Sequence, residues 1–167
     1  MRRTALAPLV LAAALLGAPA AHADTGWEPA PSAPWDVAAG VRCGFPVHGE
    51  PVVDEVVRRV LATRPDGTAQ RIVYRGKLVV RLTNTETGSF YDADVSGTAL
   101  VELRDDGGQL WEVRGPVLVG VGEGNLPRGL YVVDGVYTLD IDAAGRKAVH
   151  LARGTVDDLC ARIARDG

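Results

Sequence analysis

The sequence predicts an all-β protein: a single antiparallel meander of about eight to ten strands, forming a barrel or a barrel-like sandwich, closed by a short C-terminal helix. Three observations carry this. Apolar residues alternate with polar ones over short runs, as at Leu78, Val80 and Leu82 against Lys77, Arg81 and Thr83, and period two with one apolar face marks a half-buried strand. Turn residues punctuate the runs, as at Thr85-Glu86-Thr87-Gly88 and Asp105-Asp106-Gly107-Gly108, where glycine supplies the positive φ that tight hairpins need. No long helical pattern intervenes, so successive strands are expected to be antiparallel. Closure into a barrel or sandwich disposes of the open edges.

The chain of 167 residues begins with what reads as an export signal. Met1-Arg2-Arg3 is positive, an apolar stretch runs to Gly17, and Ala21-His22-Ala23 has the small-x-small form of a cleavage site. Residues 1–23 are therefore expected to be a cleaved signal peptide and the product to be secreted. The arginine pair also fits twin-arginine export. No later apolar run is long enough for a transmembrane helix. The expected mature chain keeps 16 basic and 21 acidic residues, a net charge of −5. That balance argues against nucleic acid or an anionic membrane as partner, because both select clustered positive charge.

Residues 24–40 carry Pro29, Pro31 and Pro34 among small residues and read as an extended lead-in. They also carry Trp27 and Trp35, which are either incidental aromatics on a loose arm or, for Trp35, a ring docked over one end of the domain. Residues 41–167 are expected to form one β domain, a length suited to a single core. Pro46 limits the run around Val47 to an edge strand or the start of one. Residues 52–63 fit both a strand and a helical stripe; the valine content and the Pro65-Asp66-Gly67 turn favour a strand paired with residues 68–75. The next three runs, 77–84, 89–96 and 98–104, read as a three-strand meander. Trp111 and Val113 share a face, and 116–121 is a short apolar run. Residues 131–133 and 136–142 read as two strands around Asp134-Gly135, with Tyr137, Leu139 and Ile141 together. Residues 147–153 read as the last strand, with Val149 and Leu151 inward. Thr155 reads as the N-cap of the final helix, with Asp157 and Asp158 in its first turn, and Val156, Leu159, Cys160 and Ile163 on one face.

The two cysteines, Cys43 and Cys160, lie at the two ends of the domain. An even count in an exported chain implies a disulfide. No Cys-x-x-Cys spacing points to redox or metal chemistry. Beyond the signal peptide the histidines are His48 and His150 and the serines Ser32, Ser89 and Ser96. There is no Gly-x-Ser-x-Gly elbow and no His-Glu-x-x-His helix. His48 and His150 would approach one another only if the first and last strands paired. Asp92 and Asp94 share one strand face, as do Asp140 and Asp142; as neighbours these four would suit a hard cation or acid–base work, and apart they are a solvated face. Gly120-Val121-Gly122-Glu123-Gly124 lacks the lysine, the Ser/Thr and the following helix of a phosphate loop. No cofactor is implied by any motif.

Several stretches together resemble small exported β-rich proteins of high-GC Gram-positive bacteria. They are the signal peptide, Cys43-Gly44-Phe45-Pro46-Val47, Leu82-Thr83-Asn84-Thr85-Glu86-Thr87-Gly88, Val95-Ser96-Gly97 and Asp158-Leu159-Cys160. The resemblance implies the all-β fold and the disulfide, and no catalytic residue. Three functions stay open. One is a binding module holding a small apolar ligand in the barrel. Another is an extracellular or cell-envelope interaction protein with a filled core. The third is a hydrolase or isomerase using His48 or His150 with an acid pair. The first two differ in whether inward positions such as Leu78, Val80, Leu82 and Val101 leave a cavity or fill it.

Overall fold

The structure is a computed structural model and describes residues 26–165; the expected signal peptide lies outside them. Among the described residues the fold is all-β, with two antiparallel sheets and one short helix. The strands are β1 (Glu28–Pro29), β2 (Trp35–Val37), β3 (Val47–Asp54), β4 (Val57–Thr63), β5 (Ala69–Arg75), β6 (Leu78–Asn84), β7 (Phe90–Asp94), β8 (Thr98–Leu103), β9 (Gln109–Arg114), β10 (Val117–Val121), β11 (Gly129–Ile141) and β12 (Lys147–Asp158). Helix α1 (Leu159–Arg165) follows directly. The larger sheet runs β1-β4-β5-β8-β9-β11-β10 with β12 also paired to β11, and the smaller runs β2-β3-β6-β7.

The alternation expected from the sequence is present, but the connections are not those of the single meander expected, because the strands divide between two sheets. Residues 47–84 form one long hairpin that is folded across its middle. Its far half pairs β4 with β5 in the larger sheet, Val57 opposite Arg75. Its near half pairs β3 with β6 in the smaller sheet, Asp54 opposite Leu78. The crease falls at Glu55 and Gly76, where Glu55 N–H donates to the Lys77 carbonyl at 2.8 Å. Gly76 takes φ +139°, and a Cβ there would strike the Glu55 backbone. The single strand expected over 52–63 is thus two strands, one in each sheet.

The same crease crosses the next strands. Residues 89–104 do not complete a three-strand meander, because β7 pairs with β6 while β8 pairs with β5 and β9 in the other sheet. The chain changes sheet at Ser96-Gly97, where the Asp94 carboxylate accepts the Ser96 N–H at 3.0 Å and Gly97 packs against the Pro116 carbonyl. On the far side β11 is one continuous strand rather than two around a turn. Its first half pairs with β10 and its second with β9. Gly115 N–H donates to the Gly135 carbonyl at 2.8 Å between the halves. Glycine in a strand interior commonly marks such a bend or close backbone approach.

Two apolar clusters result. One gathers Val101, Val113, Val119, Val121, Tyr131, Val133, Tyr137 and Leu139 on the inner side of the larger sheet. The other gathers Val47, Val80, Leu82, Ala93 and Leu130 around Leu159 and Ile163 of α1. The first half of β11 is buried on both faces because one cluster lies on each side of it. The helix cap differs from expectation. β12 runs on to Asp158, whose carboxylate accepts the Ala161 N–H at 3.1 Å, so Asp158 and not Thr155 is the N-cap. Val156 is exposed instead of joining the helix face, and Leu151 is also exposed. A register shift between Val136 and Tyr137 lies between the pairs that place Leu151 and Val156.

Candidate functional site

The apolar faces do not fill the space along the crease. A cavity of about 450 Å³ lies there. β5 contributes Ile72 and Tyr74, β6 Leu78 and Val80, β8 Ala99 and Val101, and β9 Trp111. Leu82 lies elsewhere, fully buried in the α1 cluster. Of the four inward positions that distinguish a hollow from a filled interior, three therefore border the cavity.

One wall comes from the lead-in. Residues 30–35 cross the cavity as an extended strap, and Ala30, Ser32, Ala33 and Trp35 line it. The prolines suit this path, since they fix an extended φ and require no hydrogen-bond acceptor. Two of the donors between them are fastened: Ala30 N–H to the Val56 carbonyl at 2.9 Å and Ser32 N–H to the Asp54 carboxylate at 2.6 Å. Trp35 is anchored by β2, where it lies opposite Gly49 of β3. Trp35 thus docks on the domain, and the strap is part of the folded structure.

The lining has one charged side chain, Arg75. Its guanidinium sits over the Trp27 ring, 4.0 Å from the centroid, a cation–π contact. Trp111 is already satisfied at its polar edge, because Nε1 donates to Gln109 Oε1 at 2.8 Å. Arg75 is itself exposed, and its guanidinium lies on a ring that does not line the cavity, so the chamber is apolar.

The residues singled out from the sequence do not meet there. Cys43 and Cys160 are bonded, with their Cα atoms 5.3 Å apart across 117 positions. His48 Nδ1 is 2.8 Å from the Asp36 carboxylate between β2 and β3. His150 lies in β12 opposite Thr138, in the other sheet; β3 pairs with β2 and β6, so the two histidines are not brought together. Instead His150 borders a shallow outer groove of about 410 Å³ with Val73, Leu100, Glu112 and Thr138.

The acid pairs are separated too. Asp92 sits on β7 and Asp140 on β11, in different sheets. Arg81 donates to both Asp92 oxygens at 2.7 and 2.8 Å, and Arg104 does the same to Asp140 at 2.7 and 2.8 Å. Each bidentate arginine holds its carboxyl below the usual aspartate range. The Ser96 hydroxyl and N–H do the same for Asp94. Asp142 accepts the N–H groups of Ala144 and Arg146, each at 2.9 Å, in the β11–β12 turn. Among the described residues no group of three or more His, Cys, Asp or Glu side chains is placed to hold a metal ion.

Sequence reasoning left open whether the interior is hollow or filled, and it did not foresee that the lead-in walls the cavity. Its one available sign was two tryptophans in a proline-rich segment, which a loose arm would not need. No family model matches the chain, and neither a curated protein nor a solved structure matches it.

Proposed function

We propose that the protein is an exported binding module that holds a small, mostly apolar ligand along the crease, with the two sheets acting as the halves of a barrel-like sandwich around it. The observation that carries this reading is the cavity of about 450 Å³ bordered by Leu78, Val80, Val101 and Trp111 under the 30–35 strap. That volume suits a ligand of drug-like size, for which pockets run roughly 300–1,000 Å³. Apolar walls reward burial in proportion to the area removed from water. Export rests on residues 1–23, with their basic start, apolar middle and small-residue cleavage site. A binder is favoured over a hydrolase or isomerase because Asp92, Asp94, Asp140 and Asp142 are each committed to an arginine or a turn.

The test is native mass spectrometry of the chain from Asp24 onward, recovered from its own host's culture medium. A reproducible adduct of a few hundred daltons, the order expected for such a pocket, that is lost on denaturation supports the reading and identifies the ligand. A bare polypeptide mass overturns it in favour of an envelope or extracellular protein partner.

A further inference from the structure

A second pocket, of about 540 Å³, opens where β10 ends and β12 begins. Lys147 enters it from the first residue of β12, and its backbone is clamped. Its N–H donates to the Glu123 carbonyl at 2.9 Å and its carbonyl accepts from Asn125 N–H at 3.1 Å. Among the described residues its ammonium makes one hydrogen bond, to the Gly120 carbonyl at 2.6 Å. Three donors on an ammonium leave two to satisfy.

Arg42 faces the same glycines. Its segment is fixed at Cys43 by the disulfide, and at Gly40 by a bond to the Cys43 carbonyl at 2.8 Å and by Arg128 at 3.0 Å. The guanidinium lies against Gly120 and Gly122, and a Cβ on Gly122 would sit 2.9 Å from its Nη1. The glycines therefore act by making room for the arginine, not by presenting amides as a phosphate loop would. Nη1 donates to the Val41 carbonyl at 2.9 Å. Among the described residues no carboxylate forms an ion pair with Arg42 or Lys147. Glu123 also lines the pocket, but it is exposed and reaches Arg146, at 4.0 Å. Burial first, and the Arg42 charge second, hold Lys147 below the usual lysine range.

Two partly buried cations that line one pocket, neither ion-paired with a carboxylate among the described residues, are unfavourable as they stand. An oxyanion between them supplies what is missing. The planar guanidinium fork matches two oxygens, the ammonium takes a third, and a dianion offsets both charges. We propose that this pocket binds a tetrahedral oxyanion of the phosphate class between Arg42 and Lys147, either free or as the head of a larger molecule.

Isothermal titration of the full folded chain at low ionic strength tests this, with inorganic phosphate and glycerol phosphate as probes. Saturable one-site binding is expected. Arg42→Gln and Lys147→Met should each weaken it by about tenfold or more, the scale of a lost charge-assisted contact. Arg71→Gln removes an exposed cation that pairs with Glu102 and should leave binding unchanged. Tighter binding of glycerol phosphate assigns the site to a head group, and equal binding to the free anion. The proposal is overturned if neither probe saturates, or if Arg42→Gln binds like the parent, or if Arg71→Gln weakens binding equally. Arg42 is only half-buried, so its variant decides the matter even if Lys147→Met does not fold.

Discussion

The Trp35 ring lies directly on the Cα of Gly49, so close that a Cβ at that position would overlap ring carbons. The two residues are opposite one another in the β2–β3 ladder. Gly49 is buried and its φ is not positive, so space alone selects glycine there. Gly49→Ala should push the indole off the sheet and loosen the strap. A loss of about 1–3 kcal/mol is expected, the usual cost of overpacking. Urea unfolding followed by tryptophan fluorescence checks it; an unchanged midpoint would mean the ring does not hold the strap.

The Cys43–Cys160 bond ties α1 back to the segment before β3. The loop it closes spans 117 positions, for which chain entropy alone gives about 4–5 kcal/mol. Leu159 and Ile163 are fully buried, so the helix also keeps an apolar anchor. The double variant Cys43→Ala/Cys160→Ala should remain folded at low denaturant and lose up to about 4–5 kcal/mol in urea. A shift near zero would mean that packing of the helix already restrains the unfolded chain.

Arg104 and Asp140 form a two-pronged pair between the loop after β8 and the end of β11. The arginine lowers the Asp140 pKa in the folded state. A lowered folded pKa stabilises the fold above the unfolded value, near 4 for aspartate, and that contribution fades as pH falls through the folded value. Asp140→Asn should therefore melt below the parent at pH 7, and the two should converge under strongly acidic conditions. Melting curves across that range decide it. A gap that persists into strong acid would trace to packing instead of charge.

Tyr137 places its hydroxyl where it is buried without a hydrogen-bond partner among the described residues. Burial, then the Asp134 charge, push its ionisation well above the ordinary tyrosine value. An unsatisfied buried hydroxyl costs about 1–3 kcal/mol. Tyr137→Phe keeps the ring in the cluster with Val113 and Leu139 and should be as stable as the parent or more so, by about 1 kcal/mol. A clear loss in thermal unfolding would reveal a partner for the oxygen.

The strands were legible because alternation fixes which way each side chain points: Leu78, Val80, Leu82 and Val101 all face inward. The crease was not, because a glycine that bends a ladder and a glycine that ends one look alike in sequence. Gly97 and Gly135 therefore read as punctuation between strands, and Gly76 gave no sign that 47–84 folds across its middle. The cap was misplaced for a related reason. Thr155 and Asp158 are both good N-cap residues, and only pairing of β12 with β11 as far as Tyr131 opposite Asp158 moves the helix start to the later one. Whether the interior is hollow or filled stayed open because alternation gives direction and not the distance to the facing side chain. The disulfide needed nothing beyond an even cysteine count and the expected export signal.

That distinction between direction and distance can be tested at two inward positions. Val101 borders the cavity, whereas Leu82 is fully buried against the α1 cluster. A phenylalanine at position 101 has open space to enter, so Val101→Phe should cost less than about 1 kcal/mol and, if the proposed ligand occupies the cavity, abolish its adduct. Leu82→Phe has none and should cost about 1–3 kcal/mol while leaving the adduct in place. Chemical denaturation and native mass spectrometry on the two variants read both quantities. Equal destabilisation would mean that the interior beneath the strap is as tightly filled as the one beneath the helix, and loss of the adduct in both would place the ligand elsewhere.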